Sequence, residues 1–240
     1  MVRFAMPFPV VPGKTEADVR RVADRLMSDP EAYRESRRRG GVTMERAYLQ
    51  ETPMGNFLVG YFETSRSLQE ALTAPVHSDL DIDRFFVAAV KEVHGVDLTQ
   101  LPPNPPVETV GEWFDPTVSE RRRGYAFCAP LAPGKTEEGR AFAREAFVTR
   151  LQELTASRRA LGECGEVVSL TATPQGDVIS VYLEGADPKD ANVRFAASTS
   201  PFDVWFKEQC ARIFPPFVDF SQPVQGITEI FDSEALLARA

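Results

Sequence analysis

Apolar and polar positions follow the same order twice along the chain. In the first half, a short apolar run at Arg3–Phe8 precedes residues at helical spacing, and two alternating runs, Thr43–Glu51 and Asn56–Glu63, flank the turn sequence PMGN. A second helical stripe runs through Phe85–Val93, and a final apolar strand follows. The second half repeats these features around the turn sequence PQGD. Each half is therefore predicted to form strand, helix, strand, strand, helix and strand.

The two halves are copies of one another at a spacing of 121 residues. PGKTE occurs at Pro12–Glu16 and again at Pro133–Glu137, and TPMGNFLVGYFE at Thr52–Glu63 aligns with TPQGDVISVYLE at Thr173–Glu184. The final strands, VETVGEWFD and VQGITEIFD, align at a spacing of 117. This period is far longer than the roughly 20–50 residues of a solenoid repeat. We expect two tandem domains, residues 1–116 and 123–240.

The PGKTE segments end like a phosphate-binding loop but lack its first glycine. Phe8 and Ala129 take the place of that glycine, and the proline before each Gly-Lys pair removes an amide that would hold a phosphate. A simpler interpretation is a Pro-Gly turn, after which Thr15 or Thr136 caps a helix. The sequence therefore argues against nucleotide binding at these segments.

The predicted order is that of the ferredoxin-like βαββαβ unit, an α+β fold with helices on one face of a four-stranded sheet. Two such units in one chain resemble the dimeric α/β-barrel superfamily, which includes antibiotic-biosynthesis-monooxygenase-like proteins. The resemblance implies that the two units pack sheet to sheet as an intramolecular barrel, with a pocket between each sheet and its own helices. It also implies a chain that folds as a monomer and associates further only through other surfaces. No catalytic motif of one member family is matched.

Composition excludes several classes of partner. The formal net charge is −8, which argues against nucleic acid, and we interpret the arginine runs Arg37–Arg39 and Arg121–Arg123 as solvated. No apolar stretch approaches the roughly 20 residues of a membrane span, and the first residues lack the apolar core of a signal peptide. We therefore expect a cytoplasmic protein without a membrane partner. Its three cysteines, without metal-type spacing, are expected to be reduced and buried.

Only two histidines occur, which restricts the chemistry. A metal site of three histidines is excluded, and we predict no bound metal and no cofactor. His77 lies in a polar loop and is assigned no role. His94 precedes Gly95 at the end of a helix, where it is either a structural residue beside a left-handed cap or a catalytic acid or base. Because some relatives of the fold carry haem on a histidine, haem on His94 is a further alternative.

Comparison of the copies favours a pocket in the first one. Polar or aromatic residues of the first copy face apolar or smaller residues of the second at four positions. The candidate site combines His94 as the titrating group with Arg46, Tyr48, Tyr61 and Trp113 as substrate-binding residues. Under the alternative, Arg46 is an edge-strand charge and the aromatic residues belong to the core. Tyr61 and Glu63 recur as Tyr182 and Glu184, which fits shared folding constraints, with the glutamates solvated at strand ends.

Three functions are consistent with these features. The first is a small-molecule-binding protein, in the form of a cofactor-independent oxygenase or isomerase acting on an aromatic or polyketide-like metabolite. The second is a non-catalytic binding or assembly protein with the same fold, since no nucleophile–base pair is recognisable. The third is a haem-binding protein that uses His94.

Overall fold

A computed structural model describes residues 1–102 and 106–237 of the 240-residue chain. The chain forms two compact units, Met1–Pro106 with Thr228–Ala240 (unit 1) and Val107–Ile227 (unit 2). The helices and strands of unit 1 are β1 (Val2–Pro9), α1 (Glu16–Met27), α2 (Pro30–Gly40), β2 (Val42–Thr52), β3 (Gly55–Thr64), α3 (Leu68–Thr73), α4 (Asp81–His94), β8 (Ile227–Asp232) and α9 (Glu234–Leu237).

Unit 2 contains the corresponding elements of the second copy. They are β4 (Val107–Phe114), β5 (Arg123–Pro130), α5 (Thr136–Arg144), α6 (Leu151–Leu161), β6 (Glu163–Thr173), β7 (Gly176–Gly185), α7 (Pro188–Ala197) and α8 (Pro201–Ile213). A π-helical turn at Glu145–Thr149 joins α5 to α6, whereas Asp29 separates α1 from α2 by capping α2 through its side chain. The predicted α+β class with two four-stranded sheets is confirmed.

The last strand of each copy lies in the sheet of the other copy. Sheet 1 has the order β1-β3-β2-β8 and sheet 2 the order β4-β6-β7-β5. The expectation that each copy closes its own sheet is therefore wrong. The division at 1–116 and 123–240 describes the duplicated sequence, whereas the compact units exchange β4 and β8. Strand alternation specifies a buried face but not the sheet that supplies the neighbour, so a sequence pattern alone fits either pairing.

The local turn signals act as predicted in most places. Gly13 and Gly134 have φ values of 89° and 77°, which glycine adopts without a steric penalty. Thr15 is the N-cap of α1, and its backbone N–H donates to the Asp18 carboxylate. Thr136 differs, because it is the first residue of α5 and its hydroxyl donates to Asp177 instead of capping the helix. The two hairpins have the same hydrogen bond. The Thr52 hydroxyl donates to the Gly55 carbonyl and the Thr173 hydroxyl to the Gly176 carbonyl, each at 2.7 Å.

The helices of each unit cover one face of its own sheet. In unit 1, apolar residues of α1, α2 and α4 pack with β2 and β8, as Leu26, Leu49 and Ile230 illustrate. In unit 2, α8 and the π-helical turn pack with β4, β6 and β7. The cysteines are buried, as predicted. Within the described residues, every helix is too short or too polar to cross a membrane.

Ser233 connects the end of β8 to β2. Its hydroxyl accepts from the Glu45 N–H at 2.8 Å, its own N–H donates to the Glu45 carbonyl at 2.9 Å, and its side chain is fully buried. We expect Ser233→Ala to lower the free energy of unfolding by about 1–3 kcal/mol, because it leaves a buried N–H without its acceptor. Urea denaturation measures this change. Ser221→Ala, at an exposed position, is the control and should stay within about 0.5 kcal/mol of the parent protein. Equal stabilities of the two variants would contradict this role for Ser233.

Candidate ligand cavities

Unit 1 contains a cavity of about 100 Å³ between its sheet and its helices. Side chains from β1, β2, β3, β8, α1, α2, α3 and α4 line it, and nearly all of them are apolar. The polar side chains of the lining are Ser36, Arg37, Glu45 and His94. This is the position that the sequence comparison predicts for a pocket of the first copy. An apolar cavity with a few convergent polar groups is the usual form of a small-molecule site.

Arg37 enters this cavity from the last turn of α2 with 5% of its surface exposed. Its Nε donates to Glu45 Oε2 of β2 at 2.6 Å, and its Nη1 donates to Ser36 Oγ at 3.0 Å. The guanidinium lies over the rings of Tyr33 and Phe86, at 4.7 and 5.0 Å from their centroids. Burial opposes the charge, but the Glu45 carboxylate raises the Arg37 pKa above its usual value. Arg37 is therefore a permanently charged donor inside an apolar cavity.

One nitrogen of this guanidinium, Nη2, is buried without a hydrogen-bond partner among the described residues. Around Glu45, the Tyr33 hydroxyl donates to the same oxygen as Arg37 Nε, Oε2, at 2.9 Å. The carboxylate thus receives Tyr33 and one arginine nitrogen instead of two arginine nitrogens. Buried N–H donors are nearly always satisfied in folded proteins, so an unsatisfied one beside a cavity marks a place for an acceptor.

His94, the last residue of α4, lines the cavity beside Pro9 at the end of β1, whereas Arg37 contacts Glu45, which is level with Phe4 nearer the start of β1. Gly95 follows with φ 68° and caps the helix as predicted. The ring Nδ1 lies 3.0 Å from the Pro9 carbonyl oxygen, and since a carbonyl only accepts, Nδ1 carries the proton. Burial lowers the pKa of His94 from 6.5, although the Pro9 contact opposes this. His94 is therefore neutral at pH 7, with its lone pair on Nε2.

The other predicted site residues lie away from the His94 cavity. Glu45 and Ala47 of β2 line the cavity, so the alternating residues Arg46 and Tyr48 lie on the opposite face of the sheet. Tyr61 is paired with Arg46 in the register of β2 and β3 and shares that face. The expectation that these residues join His94 in one pocket is corrected, because both faces of the strands are apolar and the sequence does not say which face meets the helices.

Arg46 and Tyr61 instead make polar contacts inside the protein. Arg46 is fully buried and donates to Asp232 and Glu234 at 2.9 and 3.0 Å, so it is not an exposed edge charge. The Tyr61 hydroxyl donates to Glu63 at 2.6 Å, and Glu63 is fully buried. The prediction that Glu63 is solvated is therefore wrong, as it is for Glu184, which is 2% exposed.

Trp113 belongs to unit 2, whereas His94 belongs to unit 1. Trp113 lies in β4, which joins sheet 2, and it packs in the core of unit 2 with Phe147 and Leu154. Strand exchange is the reason, because it moves the last strand of the first copy out of unit 1. A role of Arg46, Tyr48, Tyr61 or Trp113 in binding a substrate stays a prediction.

Unit 2 contains a second cavity, of about 80 Å³, also between its sheet and its helices. Arg158 occupies the place of Arg37, and Glu166 the place of Glu45, both at the repeat spacing of 121. Here Arg158 Nε and Nη2 donate to the two oxygens of Glu166 at 2.7 and 3.3 Å. Leu154 stands where unit 1 has Tyr33, so no hydroxyl competes for the carboxylate. Both units therefore contain a cavity, as the resemblance implies, and the assignment of the functional pocket to the first copy stays a prediction.

The interpretation of the arginine runs as solvated is wrong for Arg37, which is buried. Arg38 is solvated as predicted, with 73% of its side chain exposed. The available signal was the repetition of Ser-Arg-Arg at Ser36 and Ser157 together with that of Glu45 and Glu166. A repeated arginine and a repeated glutamate on adjacent elements indicate a buried pair better than a solvated face.

Neither cavity is suited to a large prosthetic group. Within residues 1–102 and 106–237, no three His, Cys, Asp or Glu side chains are placed to hold a metal ion together. His94 Nε2 has a lone pair that could ligate haem iron. A cavity of about 100 Å³ is, however, well below the roughly 300–1,000 Å³ of pockets for drug-sized ligands, so a porphyrin does not fit it without rearrangement.

Comparisons with known proteins give distant structural likenesses. No protein-family model and no curated protein matches the chain. A "putative monooxygenase" of Lactobacillus acidophilus has 10% sequence identity and a TM-score of 0.46, with 88% of each chain covered. Another of Fusobacterium nucleatum has 11% identity and a TM-score of 0.45, covering 95% of this chain and 88% of its own.

Proposed function

We propose that the protein binds a small, neutral aromatic molecule in the cavity of unit 1, with a carbonyl or hydroxyl oxygen of the ligand accepting from Arg37. The observation that carries this proposal is Arg37 Nη2, a buried donor of the cavity lining without a partner among the described residues. An acceptor on the ligand would satisfy it. Leaving such a donor unsatisfied costs about 1–3 kcal/mol, more when it is charged.

The charges around Arg37 favour a neutral ligand over an anion. Glu45 is in direct contact with the guanidinium, and Asp83 Oδ1 lies 4.0 Å from Nη1. With both carboxylates ionised, the cluster has a formal charge of −1 in a cavity of low polarity. A carboxylate ligand would add a further negative charge there, whereas a carbonyl oxygen would take the hydrogen bond without that cost.

The cavity volume favours a ligand of about one ring. An apolar cavity of roughly 150 Å³ holds benzene, and this cavity of about 100 Å³ is of the same order. A multi-ring polyketide would need the helices to move. Phe4, Phe62 and Phe86 supply aromatic walls. A single aromatic ring with one polar substituent is therefore the class of ligand that we propose.

His94 supplies a base for proton transfer from such a ligand. Its neutral Nε2 can take a proton from a hydroxyl at the end of the ligand away from Arg37, and the conjugated ring would carry the developing negative charge to the oxygen that Arg37 stabilises. The resulting anion could be reprotonated at another atom, as in an isomerase. It is also the electron-rich species from which oxygen addition without a metal begins. This chemistry is proposed for a cofactor-independent isomerase or oxygenase, and its alternative is a binding protein without catalysis.

Tyr33→Leu tests the Arg37 donor, since leucine is the residue of unit 2 at this place. Without the Tyr33 hydroxyl, Glu45 should receive both Arg37 nitrogens, as Glu166 receives those of Arg158. We expect the affinity for acetophenone, a neutral ring with a carbonyl, to fall about ten- to a hundredfold, as for the loss of a charged hydrogen bond. The measurement is a titration of the His94 imidazole NMR signals, with the affinity for toluene as the control. Unchanged acetophenone affinity in a folded variant would overturn the proposal.

His94→Phe tests the state of the histidine. The phenylalanine is Phe214 of unit 2, because the Val93 carbonyl accepts from Val11 as the Ile213 carbonyl accepts from Ala132, so the spacing is 120 at this helix end. The unfolded chain protonates its histidine near pH 6.5, before the folded protein does, because burial lowers the pKa of His94. The stability of the parent protein should thus fall as the pH drops below about 6.5, by up to about 1.4 kcal/mol per pH unit. His94→Phe should lack this part of the fall, and His77→Phe, at an exposed residue, should keep it. Denaturation series from pH 5 to 8 make the comparison. Identical profiles of both variants would contradict a neutral buried His94.

Haem on His94 is tested with the same variant. Because the cavity is smaller than a porphyrin, we expect haemin to give the same Soret band with the parent protein and with His94→Phe. A band shift that is saturable and lost in His94→Phe would favour the haem-binding alternative over the one proposed above.

A further inference from the structure

We propose that the cavity of unit 2 is a second ligand site, in which the protonated carboxyl of Glu163 donates to a neutral carbonyl-bearing ring. Glu163 lines this cavity from the first residue of β6 and is 5% exposed. In unit 1 the equivalent position is Val42, which also lines its cavity. The carboxyl is therefore an addition of the second copy, and the site does not depend on the function proposed for unit 1.

Glu163 Oε2 is buried and has no hydrogen-bond partner among the described residues. The nearest cation is Arg158, whose Nε lies 3.5 Å away, but that nitrogen already donates to Glu166 at 2.7 Å. Buried polar atoms rarely remain unsatisfied. An oxygen of this kind in a cavity wall needs a partner that the cavity itself would hold.

The charges around Glu163 favour its protonated form. Three carboxyl groups lie within 4.0 Å of the single Arg158 guanidinium, those of Glu166, Glu163 and Asp203. Asp203 receives hydrogen bonds from Ser157, Ser198 and Ser200, which, against its burial, lower its pKa. Two ionised carboxylates already exceed the charge of one guanidinium, so a third negative charge would be unbalanced.

The remaining cation near Glu163 is engaged elsewhere. Arg194 of α7 pairs with Asp190 at 2.7 Å and donates to the Leu161 carbonyl of α6. Burial, together with the carboxylates of Glu166 and Asp203, raises the pKa of Glu163 to about 8 against the opposing effect of Arg158. At pH 7 the group is thus an acid with an O–H to donate.

The two cavities would then recognise the same class of ring with different donors. In unit 1 the donor is Arg37, which stays charged at every accessible pH. In unit 2 the donor exists only while Glu163 holds its proton, and the His94 position is Phe214, which leaves this cavity without an imidazole. Ligand binding in unit 2 should therefore be lost at alkaline pH, whereas binding in unit 1 should persist.

The test follows the carboxyl carbon of Glu163 by NMR in the full-length protein labelled with ¹³C-glutamate. The signal is assigned by its absence in Glu163→Gln. Acetophenone should raise the midpoint of its titration, because the ligand binds the protonated form, and the affinity read at this carbon should fall nearly tenfold per pH unit above the midpoint. Toluene should leave the midpoint unchanged. An equal effect of both probes, or none at millimolar acetophenone, would overturn the proposal.

Glu163→Val and Glu163→Gln serve as matched variants. Glu163→Val introduces the residue of unit 1 and should abolish the preference of unit 2 for acetophenone over toluene. The two affinities are measured from the ring signals of the nearby Phe214. Glu163→Gln keeps a neutral donor and should make binding independent of pH. Neither should alter the His94 shifts produced by acetophenone in unit 1. If acetophenone shifts the unit 2 signals but not the His94 signals, the function proposed for unit 1 is contradicted. A pH-dependent affinity of unit 2 in Glu163→Gln would contradict the role of Glu163.

Discussion

A buried arginine–glutamate pair joins the helices to the sheet in each unit. Arg37 of α2 meets Glu45 of β2, and Arg158 of α6 meets Glu166 of β6, with all four residues nearly inaccessible to solvent. Removing one member of such a pair leaves an unpaired buried charge and typically costs about 3–5 kcal/mol. Aromatic rings above each guanidinium and a serine beside it complete the same arrangement twice. Both pairs line their cavities. The hydrogen-bond donors and acceptors that each cavity offers to a ligand therefore depend on the residues around its pair.

Small substitutions around this common pair have given the two cavities different properties. In unit 1, Tyr33 and Arg37 Nε share Oε2 of Glu45, and Arg37 Nη2 has no partner among the described residues, whereas in unit 2, where Leu154 replaces Tyr33, Arg158 uses both oxygens of Glu166. A second exchange places His94 in one cavity and a third places Glu163 in the other. One cavity therefore contains a fixed cation with a neutral base, and the other contains an acid whose proton is retained by its neighbours.

The sequence predicts the order of the elements and the hairpins because these follow from local patterns, whereas the position of the first cavity follows from the resemblance to a known fold. Alternation also places Arg46 and Tyr48 on one face, but with apolar residues on both faces it does not identify the face that meets the helices. The burial of Arg37 depends on a glutamate of the next strand, so a helix-end arginine run gives no local sign of it. The partner of each closing strand is likewise decided by tertiary structure, since β4 and β8 have patterns that fit either sheet.

The exchange of closing strands also determines when the protein can fold during its synthesis. Sheet 1 is complete only when β8 has joined β2, although about 175 residues separate these strands in the chain. A ribosome adding roughly 5–20 residues per second would expose the unpaired edge of β2 for roughly 9 to 35 seconds. During that interval the nascent chain presents an open strand edge, which readily pairs with other chains. Protection by a chaperone would thus matter most for the first half of the molecule, which is made first and finished last.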